Sequence, residues 1–320
     1  MRTASYTLTA DDAYDLHVHR WLPDGEPRAV VQLAHGLGEH AGRYARFAQA
    51  LTDAGYAVHA NDHRGHGRTA PTAEDLGFFA RQDGWRRVLD DMALLRKRIG
   101  SDHPGLPVAI FGHSMGSFLT QWTIAERGAD YVGAVLCGSN GKPPAIAALG
   151  RLIARFERWR LGPRGRSRLL LKMSFVEFNR RFRPNRTDSD WLSRDPAEVD
   201  AYIADPLCGF VPTGQLWIDL VGGVGRQTDP ALVGRIPKGL PIFVIAGTAD
   251  PVSNGAKGLP SLLDAYRDAG VSKVLHRFYD GARHELLNET IRDDVTADVL
   301  AWLRSATGGG PRQEVAGSSP

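Results

Sequence analysis

Two hydrophobic periods alternate along the chain. Short apolar runs read as buried strands: "AVVQLAHG", "YAVHANDHRG", "VAIFGHS", "YVGAVLCGS", "PIFVIAGTADP" and "KVLHRFYDGARHE". Between them lie segments with helical spacing of apolar residues: "YARFAQALTDAG", "WRRVLDDMALLRKRIG", "SFLTQWTIAERG", "LPSLLDAYRDAG" and "TADVLAWLRSA". Ahead of these, "ASYTLT" and "DLHVHRWLP" alternate around the turn-like "ADDAY" and predict a hairpin. Strand and helix in repeated succession predict an α/β fold, a mostly parallel central sheet with helices on both faces. Polar and glycine-rich residues gather at the C-terminal strand ends, where open sheets of this kind bind ligands.

One interval breaks the rhythm. Between "VLCGSNG" and "PIFVIAG" the patterns are helical only: "AIAALGRLIARFERWR", "SRLLLKMSFVEFNRRF", "PAEVDAYIADP" and "TGQLWIDLVGGV". An insertion of this size after the sixth strand predicts a helical cap over the site. The expected organisation is an α/β core of residues 1–140 and 236–305, a cap of residues 141–235, and a disordered Gly/Ser/Pro-rich tail at 306–320.

Composition narrows the class only a little. The 320 residues are 42% hydrophobic, enough for one large core with an insertion. A net charge of +3 does not argue for nucleic acid. The two cysteines, Cys137 and Cys208, have no metal-like spacing and predict a reducing, cytoplasmic setting. The start has no apolar run of the signal-peptide kind, and no apolar window is long enough to span a membrane.

The chemistry concentrates in the loops after the strands. In "VAIFGHSMGSFLT" a serine, Ser114, stands between Gly112 and Gly116, after a strand and before a helix. That context predicts a sharp, strained turn that lifts the hydroxyl above the sheet, with the backbone N–H of Met115 facing the same space at a helix N-terminus. Serine is a weak nucleophile and needs a base held by a carboxylate. Asp250 ends the strand "PIFVIAGTAD" and His284 follows the last strand in "FYDGARHELLNE", so Ser, Asp and His can converge above the sheet. Asp280 is the rival acid, but "DG" is a turn signal. The loop "HGLGEH" supplies a second oxyanion donor, the N–H of Leu37. The loop "NDHRGHGRT" mixes possible ligands with Arg64 and Arg68, which repel a cation. It reads as a turn held by charge-assisted hydrogen bonds of Asp62 and Arg64 rather than as a metal site.

Taken together, "HGLGEHAGRY", "DHRGHGRT", "GHSMGS", "GTADPV" and "ARHELLNE" resemble the α/β-hydrolase superfamily, in its monoacylglycerol lipase/lysophospholipase-like branch of the S33 type. The resemblance covers the core segments. It implies Ser114 as nucleophile, His284 as base, Asp250 as orienter, and Leu37 and Met115 as oxyanion donors. It also implies a cofactor-free serine esterase, with no metal, acting on single-chain lipid esters. The same triad also serves acyl transfer and cleavage of amides, thioesters or carbon–carbon bonds, and the fold can carry a non-catalytic binding protein.

Charge adds one feature. Residues 151–186 hold twelve Arg and Lys against Glu157 and Glu177, a local +10 that leaves −7 for the rest of the chain. Leu149, Leu152, Ile153, Phe156 and Trp159 recur there at helical spacing. Stripes of this spacing usually pack on a core, with the arginines solvated. A basic amphipathic helix can also make peripheral contact with anionic lipid.

Overall fold

The computed structural model describes residues 1–142 and 147–308. Each apolar run forms a strand: β1 Arg2–Thr9, β2 Asp15–Leu22, β3 Ala29–Ala34, β4 Tyr56–Asn61, β5 Val108–His113, β6 Gly133–Cys137, β7 Ile242–Gly247 and β8 Val274–Tyr279. They make one sheet in the order β1-β2-β4-β3-β5-β6-β7-β8. The hairpin β1–β2 and the pair β2–β4 are antiparallel, and every later pair is parallel.

Strand periodicity sends neighbours to opposite faces. Val30, Ile110 and Val244 point to one side, where Val88, Leu89 and Met92 of helix α2 (Gly84–Asp102) and Leu119 and Ile124 of helix α3 (Met115–Arg127) cover them. Val31, Phe111 and Ile245 point to the other, against Phe47 and Leu51 of helix α1 (Ala45–Asp53) and Val299 and Trp302 of the last helix, Arg292–Ala306. β3, β5, β6 and β7 are buried on both faces, which is why they read as continuous apolar runs. Each fully buried aliphatic or phenyl group contributes about 1.5–3 kcal/mol, so these four strands are the main anchor of the fold.

The strand order decides where ligand chemistry can sit. The chain leaves β3 for β4 on one side and returns to β5 on the other. The reversal point therefore lies between β3 and β5, and the crevice opens beyond their C-terminal ends. Those ends carry the His35–His40 loop and Ser114.

Among the described residues, the segment between β6 and β7 adds no strand to the sheet. Its helices are α4 (Ala147–Leu161), short helical turns within Arg168–Phe182, Pro196–Ala204 and Gly214–Val224. Asp195, with Pro196 following, caps one of them, and Thr213 caps the next by accepting from the Leu216 N–H. The segment has small cores of its own, around Ala154, Leu170 and Trp217 and around Trp191, Leu192 and Tyr202. Gly214–Val224 packs on α2 and α3 and ties the insert to the main body.

Two expectations change here and a third is met. The last helix runs to Ala306, into the stretch assigned to the tail, while residues 309–320 lie outside the described residues. Of the α4 stripe only Ile153 packs on a core, against Ala154, Leu170 and Trp217. Leu152 is 61% and Trp159 76% exposed, with Leu149 and Phe156 also half open, because α4 buries its opposite side, Ala154 and Glu157, against the insert. In the "NDHRGHGRT" turn Asp62 and Arg64 make the expected charge-assisted bonds. Asp62 accepts from the N–H groups of Ala41 and Arg68, both at 2.8 Å. Arg64 forms forks with Asp91 (2.6 and 2.9 Å) and Asp12 (2.7 and 2.8 Å).

Candidate active site

Ser114 occupies the turn from β5 into α3 with φ 51° and ψ −120°, a strained conformation for a residue with a side chain. Two glycines make the turn possible. A Cβ on Gly116 would fall inside the Ala34 carbonyl of β3, and one on Gly112 would collide with the Gly116 carbonyl. The Ser114 N–H is anchored on the Cys137 carbonyl (2.9 Å) and its carbonyl accepts from Ser117 N (2.8 Å). Its hydroxyl does not cap α3 and is left free to face the cavity.

The opposite wall is the His35–His40 loop. The buried His35 ring accepts the His63 N–H at Nε2 (2.9 Å), so its proton sits on Nδ1 and is donated to the Gly36 carbonyl (2.8 Å). Gly36 N–H is taken by Glu39 Oε1 at 2.6 Å. Both polar groups of Gly36 are thus occupied. The next amide, Leu37 N–H, donates to no protein acceptor among the described residues, and neither does Met115 N–H. Leu37 and Met115 both line the same cavity as Ser114.

His284 lies in the loop after β8, 2% exposed, with Nδ1 3.0 Å from Asp250 Oδ1. Asp250, fully buried, follows β7 and also accepts from Val252 N (2.8 Å). The imidazole sits between the rings of His113 (4.8 Å) and Trp191 (5.1 Å), the latter from the insert. Gly138 leaves it room, since a Cβ there would stand 3.1 Å from His284 Cε1. Burial alone would push His284 down. The Asp250 carboxylate and its hydrogen bond, helped by Glu285 and Glu39, outweigh burial and raise it above its ordinary value. Burial pushes the neighbouring His113 down to about 4. Asp280 is exposed and bonded to Thr248, away from this pair.

Ser114, His284, Leu37 and Met115 open onto one cavity of about 260 Å³. Phe118, Phe175, Trp217, Leu220, Val221 and Val224 form its apolar part. Glu39, Glu285 and Tyr202 form a polar end, gathered around Arg43.

Residues 25–291 match the family model described as serine aminopeptidase, S33. The chain belongs to that family. It is an α/β-hydrolase-fold serine hydrolase of the lipase and esterase type. This S33 member is 31% identical to the monoglyceride lipase of Homo sapiens over 313 residues, covering 95% of this chain and 92% of that protein. It is 32% identical to the monoacylglycerol lipase of Mycolicibacterium smegmatis over 293 residues, 89% of this chain and 91% of that one. A solved carboxyl esterase from Bacillus coagulans, in complex with glycerol, superposes with a TM-score of 0.88 at 27% identity, covering 96% of this chain and 99% of that chain.

Sequence reasoning missed the polar end. Glu39 and Arg43 were readable as an i, i+4 ion pair inside "HGLGEHAGRY", whereas Glu285 had no local signal. It also missed a contact between the Leu37 loop and the insert. His40, Asp205 and Cys208 bring one ligand-type atom each within 4.8 Å of one another. His40 Nδ1 accepts the Gly42 N–H (3.2 Å), so Nε2 carries the proton and donates it to Asp205 (2.9 Å). No lone pair is left there for a metal, and burial pushes the Cys208 thiol up. The cluster is a latch between the loop and the insert, reinforced by Gly209 N donating to Gly38 O (2.9 Å).

Proposed function

We propose that this S33 member hydrolyses monoacylglycerols, lysophospholipids or similar single-chain lipid esters through an acyl-enzyme on Ser114. One observation carries the reading: the uncapped Ser114 hydroxyl, the Asp250-paired His284 and the undonated Leu37 and Met115 amides line a single, largely apolar cavity. The activities in the names of its relatives support the substrate class. The acyl chain lies along Phe118, Trp217, Leu220 and Val224, and the alcohol faces Glu39, Tyr202 and Glu285.

The chemistry follows. Ser114 Oγ bonds to the acyl carbon while His284 Nε2 takes its proton. Leu37 and Met115 N–H groups receive the oxyanion, and losing one such donor typically costs about 3–4 kcal/mol of transition-state stabilisation. The ester C–O bond breaks as the alcohol leaves with the proton from His284. Water, deprotonated by His284 in turn, releases the acid. Asp250 holds the ring by Nδ1 and stabilises its positive charge. Residues 1–140 and 236–305 act as the core and 141–235 as a cap over the cavity, through Trp191, Phe175 and Trp217. The reading includes a reducing, cytoplasmic setting, supported by the free, buried thiols Cys137 and Cys208.

The test is a series of 4-nitrophenyl esters from C2 to C16, followed by 1-acylglycerols and lysophosphatidylcholines of the preferred length. Turnover with a chain-length optimum is expected. No turnover of any ester would overturn the reading.

We also infer that the insert docks on anionic lipid. The exposed face of Leu149, Leu152, Phe156 and Trp159 is flanked by Arg155, which has no acidic partner among the described residues. Among those residues, no helix is long and apolar enough to cross a membrane, so the contact is peripheral. Sedimentation with phosphatidylglycerol vesicles at low salt is expected to pull the protein down, less so with pure phosphatidylcholine or after Trp159→Asp. A protein that stays in the supernatant with both lipids would refute docking.

A further inference from the structure

Beneath the polar end of the cavity lies an ion network whose charges take no part in the bond-making and bond-breaking steps above. Arg43, in the helical turn Ala41–Tyr44, donates to Glu39 Oε2 at 2.8 Å and forks onto Glu285 at 2.6 and 2.8 Å. Glu39 Oε1 accepts from Gly36 N (2.6 Å) and from the Tyr44 hydroxyl (2.7 Å). Glu285 Oε2 also accepts from Asn288 Nδ2 (2.8 Å), and Glu285 N donates to Leu192 O of the insert (2.8 Å). Both glutamates are nearly inaccessible, 3% and 5% exposed. The guanidinium lies 4.9 Å from the centre of the Tyr202 ring, also from the insert.

Stability alone does not call for such a cluster. Burying ions is expensive, and apolar residues of similar volume often serve a core as well or better. The network does something that apolar packing cannot. It joins the amide before Leu37 to the residue after His284, 242 positions apart from Arg43 to Glu285, by directional bonds.

We propose that Arg43 and Glu285 are positioning residues: through Glu39 and Glu285, Arg43 holds the Leu37 amide and the His284 ring in one frame. This rests on the roles given to Leu37 and His284 above. The frame also sets the field at the base. The charged or titratable groups facing His284 are Asp250 from the β7 loop, His113 from the end of β5, Glu39 from the Leu37 loop and Glu285 from its own loop, with Arg43 behind the glutamates. From the insert Trp191 faces it and carries no charge. Both glutamates favour the imidazolium that forms as Ser114 gives up its proton.

The variants are Glu285→Gln, nearly isosteric, and Arg43→Lys, which keeps charge but loses the fork. Rates are taken per active site titrated with a fluorophosphonate, so misfolded protein does not count. In Arg43→Lys kcat is expected to fall about ten- to a hundredfold with KM little changed. In Glu285→Gln the acid limb of kcat/KM is expected to move to lower pH, because a charge favouring protonated His284 is gone. A purely structural role would lower the melting temperature and leave both readouts where they were. Wild-type kcat per site with a superimposable pH profile would overturn the proposal. If Arg43→Lys does not fold, the acid limb of Glu285→Gln decides alone. Ser114→Ala, its rate taken per mole of folded protein because it offers the fluorophosphonate no serine, separates the two readings. Turnover surviving in that variant defeats the proposed function, whereas its loss alongside an unshifted Glu285→Gln defeats only the positioning role.

Discussion

Ser114→Ala is expected to lower kcat for the best ester by roughly 10⁴–10⁶-fold, with KM little changed. The variant leaves the cavity walls and the Leu37 and Met115 amides in place and removes only the oxygen proposed to attack. No neighbour stands ready to replace it. The other serine lining the cavity, Ser174, donates its hydroxyl to the Leu170 carbonyl at 2.8 Å. Asp250→Asn should cost about 10⁴-fold, since an amide in place of the carboxylate favours the wrong tautomer of His284. The measurement is steady-state hydrolysis of the ester per mole of folded protein, because a fluorophosphonate titrates only the serine that Ser114→Ala removes. Ser114→Ala protein that keeps more than about one part in a hundred of wild-type turnover would remove Ser114 from the role of nucleophile.

The second large effect is on stability. The fold is expected to weaken steeply as pH falls below about 6.5. His35, His59, His63 and His66 are fully buried, and burial pushes each down to about 3. Their ring nitrogens hold backbone and one another in neutral form: His35 bridges His63 N and Gly36 O, His66 Nδ1 bonds Arg64 O at 2.9 Å, and His59 Nε2 meets His103 Nε2 at 3.0 Å. Between pH 6.5 and 3 the unfolded chain binds protons that the folded protein refuses, so stability is lost as pH falls through that window. At pH 5 each imidazole forfeits up to about 2 kcal/mol, so the four together remove a large share of the roughly 5–15 kcal/mol of a typical domain. Glu285, held at about 2 chiefly by Arg43 against the opposing effect of burial, adds a loss of the same sign at lower pH. His284 works the other way, because its folded value is raised. Its contribution is complete below the unfolded value and disappears as pH rises through the folded one. Thermal unfolding followed by circular dichroism should show a midpoint lower by roughly 10–20 °C at pH 5 than at pH 7.5. A midpoint flat across that range would mean that these rings are not buried in neutral form.

Residues close together in sequence made part of this molecule readable before any fold was known. The continuous apolar runs of β3, β5, β6 and β7 announce strands buried on both faces, because a two-sided core leaves no polar alternation. The Gly112–Ser114–Gly116 elbow is legible because its strained turn and its helix start lie within five residues, whereas the close approach of Gly116 to Ala34 of β3 is a contact between separate elements. The order Ser114, Asp250, His284 at three strand ends follows from the same local patterns, since a parallel sheet brings its C-terminal ends to one side.

Tertiary structure decided the rest, wherever the relevant partner is distant or a periodicity has two outlets. Helical spacing in α4 showed that Leu152, Phe156 and Trp159 share a face, but period alone cannot say whether that face meets core or solvent. The burial of Ala154 and Glu157 on the other side turned it outward. Arg64 was legible as an ion-pairing residue, yet its partners Asp12 and Asp91 lie 52 and 27 residues away. Glu285 reaches Arg43 only because β3 and β8 are folded into one sheet, and no local rule encodes a contact across 242 residues. Short-range geometry follows from sterics and spacing that the chain carries in itself, whereas long-range pairing exists only once loop closure has brought its members together.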